Sequence, residues 1–122
     1  MLASGAGMDA SVALSELVGV STQVVEAVIV GPEGAVEAAR TAGDERAAEL
    51  AAHGAELLAA AATIRADGPS VERVHVDTER GSLVAVSDGE RTAVATTVAE
   101  PTVGLVAHDL RTALARVRGD GA

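Results

Sequence analysis

DERAAELAAHGAELLAAAATIRA, residues 44–66, is the stretch from which the rest of the chain is best read. Ala47, Leu50, Gly54, Leu57, Ala61 and Ile64 recur at spacings of three and four. That spacing lines up one stripe of a 3.6-residue helix. The large residues Leu50, Leu57 and Ile64 are seven apart, and so are the small residues Ala47, Gly54 and Ala61. A second apolar row, Ala51, Ala55, Leu58 and Ala62, lies beside the first. Together the rows cover more of the circumference than one packing surface needs. One face can lie on a sheet, and the small-residue row can admit a second helix. The pattern predicts an obligate oligomer that presents a surface. A wide core face on an alanine-rich helix in a monomer would show the same pattern.

The elements on either side follow from local signals. Residues 1–8 read as a flexible tail, and residues 9–119 as a single domain. Asp9 is a fair N-cap for a helix to Val20, with Val12, Ala13, Leu17 and Val18 inward. Val24 to Val30 is a short β-branched run that suits a central strand. Gly31, Pro32, Glu33 and Gly34 form a turn, and Ala35 to Arg40 return as a second strand. Thr41 and Asp44 have capping-box spacing ahead of the long helix, which Gly68 and Pro69 stop. Val71 to Thr78, Ser82 to Ser87 and Arg91 to Val98 read as three strands. Asp88-Gly89 is a tight-hairpin signal between the last two. Pro101 opens a closing helix with Val103, Val106, Leu110, Ala113 or Leu114, and Val117 inward, and Gly119 ends it. The order is α-β-β-α-β-β-β-α.

Composition narrows the function. The chain of 122 residues is 48% hydrophobic yet has no aromatic residue. Its core must come from Val, Leu, Ile and Ala, which bury less area each than aromatic rings. Subunit association is a common remedy for a thin core. The net charge of −9 argues against nucleic-acid or anionic-membrane partners, because phosphates need a basic surface. No apolar run is long enough to span a bilayer, and no convincing signal peptide is present, so a cytoplasmic protein is expected. Cysteine is absent, which removes disulfides, thiol nucleophiles and thiolate metal sites.

Catalytic and cofactor motifs are equally sparse. His53, His75 and His108 do not pair at i,i+3 or i,i+4, so no metal site is expected. The glycines form neither a P-loop nor a dinucleotide fingerprint, and no cofactor is expected. Ser11, Ser15 and Ser82 lie outside any nucleophile elbow. Carboxylate pairs such as Glu45–Glu49 fit a solvated helix face better than a general-acid pair. With no Lys, Tyr or Cys either, a non-enzyme without catalytic residues is expected.

The order of elements and four stretches resemble the Roadblock / dynein light-chain family over about residues 9–117. VVEAVIVGPEGAVEAAR, residues 24–40, looks like its apolar strand, glycine turn and second strand. DERAAELAAHGAELLAAAATI, residues 44–64, is similar to its long alanine-rich helix. VERVHVDTERGSLVAVSDGERTAVATTV, residues 71–98, looks like its three-stranded meander. VGLVAHDLRTALARV, residues 103–117, is similar to its closing helix, with a Gly-Leu pair at Gly104-Leu105. Ala35-Val36 departs from the Leu-Pro or Leu-Val usual after the turn glycine.

The resemblance implies a mixed α/β (α+β) fold, a profilin-like sandwich. A five-stranded antiparallel sheet would carry helices on both faces. It implies dimers joined through the third strand and the second helix, hence through Val71, Arg73, Val74, His75 and Val76 and the Ala47/Leu50/Gly54/Leu57/Ala61/Ile64 stripe. It also implies a regulator or platform for a small Ras-like GTPase that acts without an arginine finger. The outward positions Glu45, Glu49, Ala52, His53, Glu56 and Ala60 would form an acidic strip for that partner, or only a solvated face. Two other functions fit the sequence: a structural light-chain-type adaptor, and a small-molecule-sensing domain of the ferredoxin-like kind. The extra first helix and unbroken meander count against the latter.

Overall fold

The β-branched run Val24–Val30 lies near the middle of a sheet, as its apolar character on both faces requires. In the computed structural model this strand, β1, pairs with β2 (Val36–Arg40) on one side and with β5 (Thr92–Thr97) on the other. β4 (Gly81–Ser87) and β3 (Arg73–Thr78) complete a fully antiparallel sheet of order β2-β1-β5-β4-β3. The structure describes residues 7–65 and 72–119. Val71, Gly68 and Pro69, which entered the expectations above, lie outside the described residues, as does Ala66.

Helices α1 (Ala10–Val20) and α3 (Val103–Arg118) cover one face. Leu14, Leu17, Val106, Leu110 and Leu114 meet Ala27, Ile29, Val84, Val86, Ala93 and Ala95 there. The closing helix buries the expected stripe, but α1 does not. Ala13, Leu14 and Leu17 face inward and Val12 is half exposed, because the buried set follows the i, i+1, i+4 positions of one stripe. Asp9 caps α1 as expected, accepting from the Ser11 N–H at 2.8 Å. Residues 1–6 of the expected tail lie outside the described residues, and the Met8 N–H at its end donates to the Arg116 carbonyl at 2.8 Å.

Helix α2 (Asp44–Ala62) lies on the other face and touches all five strands, so it runs across them. A 3₁₀ turn, Thr63–Arg65, follows it, and the Thr63 hydroxyl donates to the Ala60 carbonyl at 2.7 Å. The capping box does not form: Gly43 is the cap residue, and the Thr41 hydroxyl donates to the Gly43 carbonyl instead. Two further boundaries move. The β4–β5 turn is centred on Gly89-Glu90, not on Asp88-Gly89. Asp88 Oδ1 accepts from the N–H groups of Glu90 and Arg91, an Asx arrangement that shifts the turn by one residue. The closing helix begins at Val103 after a Thr102 cap, two residues past Pro101.

Candidate functional site

Two cross-strand rows on the α2 face organise the site. The first runs Val28–Val94–Ala85–Val74 through β1, β5, β4 and β3. Ala47, Leu50, Ala51 and Gly54 of α2 bury it. The contact at Gly54 is very close, since a Cβ there would stand 2.4 Å from Val94 Cγ2. Ala47, Leu50 and Gly54 are therefore covered by this chain's own sheet. The small-residue row brings α2 onto β5, which leaves Leu57, Ala61 and Ile64 as the members of the stripe with free surface.

The second row runs Glu26–Thr96–Leu83–Val76 across the same four strands. Its first half is polar. Arg46 Nε and Nη2 donate to the two carboxylate oxygens of Glu26, each at 2.9 Å, in a bidentate fork. Arg46 Nη1 also donates to Glu49 at 3.1 Å, and the Thr96 hydroxyl donates to Glu26 at 3.0 Å. The Arg46 hydrogen bonds hold the Glu26 carboxyl below the usual glutamate range despite partial burial, and Glu26 in turn raises the Arg46 guanidinium. Sequence reasoning missed this pair. The signal was Glu26 itself, the one charge inside the apolar run VVEAVIV, which needed a partner to enter a sheet.

The second half of that row is apolar and open. A helix is about 10–12 Å wide, whereas a six-residue strand is about 20 Å long. One helix laid across the strands therefore leaves part of each uncovered. Leu83 is half-buried, and Val76, at the sheet edge, is 40% exposed. The α2 flank that carries Arg46 also carries Leu57, about three turns further on, and Ile64 follows in the 3₁₀ turn beyond the helix. Leu57 is half-buried, and Ile64 is 79% exposed.

The remaining positions fall into two groups. Glu45, Glu49, Ala52, His53, Glu56 and Ala60 are all exposed on α2. Arg73, His75 and Asp77 project from the other face of β3, where His75 Nε2 stands 3.8 Å from Asp77 Oδ2 and the Ser82 hydroxyl donates to Asp77. β3 is an edge strand, so one side of its backbone has no neighbour among the described residues. Among those residues no His, Asp and Glu group is placed to hold a metal ion, and no helix is long and apolar enough to cross a membrane.

This architecture is an antiparallel sheet between two helical layers, with the third strand at its edge. Residues 12–98 match the Roadblock/LC7 domain model, and the chain belongs to that family. A Roadblock/LC7 domain from Streptomyces avermitilis is similar, with a TM-score of 0.79 and 21% identity over 91% of this chain and 96% of that one. The gliding protein MglB from Thermus thermophilus has a TM-score of 0.72 and 18% identity over 97% of this chain and 93% of that one. Acanthamoeba castellanii profilin II has a TM-score of 0.61 and 17% identity over 92% of this chain and 98% of that one, so the fold is profilin-like as expected. No curated protein matches the sequence significantly.

Proposed function

We propose that this chain is a non-catalytic, cytoplasmic regulator that forms a homodimer and binds a small Ras-like GTPase. The observation that carries the reading is the open apolar half-row, Leu83 and Val76, with Leu57 and Ile64 only partly covered or exposed toward the C-terminal end of α2, and with an edge of β3 that has no neighbour among the described residues. A second copy is the occupant this reading assigns to it. Two β3 strands would extend the sheet by edge pairing. The same operation would bring Leu57 and Ala61 of each α2, and Ile64 just beyond it, toward the partner's Val76. A chain without aromatic residues gains most from covering such a patch.

In that dimer the two exposed strips, Glu45 to Ala60, stand side by side as the GTPase surface. Arg46 compensates Glu49 within the strip, so Glu45 and Glu56 are its freer carboxylates. A partner bound better in one nucleotide state would have its equilibrium shifted by that difference in affinity alone. Arg46 is committed to Glu26 and is poorly placed to act as a finger.

Light scattering at high micromolar concentration tests the dimer. The expected result is twice the chain mass for the native protein and the single chain mass for Ile64→Arg with Val76→Arg, both folded. A native monomer overturns the dimer. Biolayer interferometry with a Ras-like GTPase encoded beside this chain, loaded with GDP or a GTP analogue, tests the partner. Equal affinity for both states would favour the adaptor reading, and no binding would remove the partner proposal.

A further inference from the structure

We propose that the groove between α1 and α3, on the sheet face opposite α2, receives a basic amphipathic helix from a second partner protein. The groove has a volume of about 560 Å³ and opens to solvent along the two helices. Ala13, Leu17 and Ala113 form its buried apolar floor. An ion pair between Glu16 of α1 and Arg116 of α3 joins its walls at one end. Val20, 73% exposed, lies toward the other end, and Leu105 stands one turn before Asp109 on α3 and is half exposed. α1 and α3 touch each other, so an incoming helix would lie along the furrow above their contact, over the apolar floor, as helix-in-groove recognition requires.

Two observations say what would fill it. Asp109 lines the groove, is half-buried, and its carboxylate has no hydrogen-bond or ion-pair partner among the described residues. A cation on the incoming helix would complete it, and the chain's charge of −9 attracts basic partners generally. Gly19 also lines the groove, in the last turn of α1. Glycine weakens a helix, and a Cβ at Gly19 would meet nothing within 4 Å, so no contact among the described residues accounts for it. Its bare backbone leaves room for a second helix to approach. The inference does not depend on the GTPase reading, because the groove shares no residue with α2 or β3.

The test uses the whole protein and two synthetic peptide helices of about four turns, long enough to span the groove. Both carry Leu at i, i+4, i+7 and i+11; one has Arg on the flanking positions and the other Glu. Amide chemical shifts are followed during titration. The expected result is that the Arg peptide perturbs Leu17, Gly19, Thr112 and Ala113 while the Glu peptide does not. Asp109→Asn should weaken the Arg peptide about fivefold. Gly19→Leu should weaken it at least about tenfold while keeping or raising the melting temperature, since leucine is the better helix former. Shifts confined to α2 and β3, no shifts at millimolar peptide, or unchanged affinity in both variants would each overturn the proposal.

Discussion

Replacing Gly54 by alanine tests how α2 is seated on the sheet. On a solvated helix face the change would stabilise the chain by about 1 kcal/mol, because glycine is the poorer helix former. At Gly54 the added methyl would stand 2.4 Å from Val94 Cγ2 and 3.2 Å from its Cγ1, where ordinary contact begins near 3.4 Å. Val94 is fully buried in β5 between β1 and β4, and its β-branched side chain has little rotamer freedom. The clash must be absorbed by lifting the helix. Overpacking of this kind costs about 1–3 kcal/mol, so the net change should run from near zero to a loss of about 2 kcal/mol. Val94→Ala alone should cost about 2 kcal/mol, from two lost methyl groups and a small cavity. In the double variant the new methyl occupies the space vacated by valine, and the two effects should fall short of additivity by about 1–2 kcal/mol. The chain has no aromatic residue, so urea unfolding is followed by far-UV circular dichroism, at one fixed protein concentration. A Gly54→Ala variant stabilised by a full 1 kcal/mol or so would refute the close contact and the account of the α2 face built on it.

Other outcomes follow from the same geometry. Glu26→Gln should lower stability by about 1 kcal/mol, reduced from the full value of a charged hydrogen bond because Arg46 is partly exposed. Because the folded Glu26 pKa is depressed, its contribution is complete above the ordinary value of 4.5 and is lost as pH falls through the folded value, so thermal melts below that pH should show a flatter profile for Glu26→Gln than for the native chain. Amide exchange along Arg73–Thr78 should be slow in a dimer joined through β3, and rapid exchange of the whole strand would count against that pairing. Reversing Glu56 to Arg should slow association with a cognate GTPase more than reversing Glu49, whose charge Arg46 already meets; equal effects in stopped-flow traces would remove the distinction. Arg46→Ala should leave any stimulated GTP hydrolysis within a few-fold of native, far from the roughly 10³–10⁵ loss of a true finger, in a single-turnover assay.

The sequence carried the elements further than the surfaces. Val24–Val30 was legible to the residue, because a β-branched run bounded by polar residues and Gly31-Pro32 admits little else. The α3 stripe was legible because its inward positions follow one period without interruption. Periodicity on α2, by contrast, cannot say what covers each row. Gly54 looks like room for a second helix until Val94, 40 positions away, is found beneath it. The Glu26–Arg46 fork depends on a crossing angle that no local pattern encodes, although the lone charge in an apolar strand was visible. Turn and cap errors share one cause: short polar side chains chose between neighbouring backbone groups, as Thr41 and Asp88 did.

The strand order has a consequence for how the chain assembles itself. β1 and β2 are joined by a five-residue connection, and β3, β4 and β5 by turns of two and four residues, so each group can form early from local contacts. The β1–β5 seam is different: it joins Val24 to Thr97 and every residue between them lies in the loop it closes. Closing that loop costs more chain entropy than closing either hairpin, so the seam is expected to form after them, and stopped-flow circular dichroism of variants on β1 and β5 against variants in the hairpins would check the order. Until it forms, both β1 and β5 carry an unpaired edge of apolar residues, and a newly made chain is most exposed to mispairing with another copy at that moment.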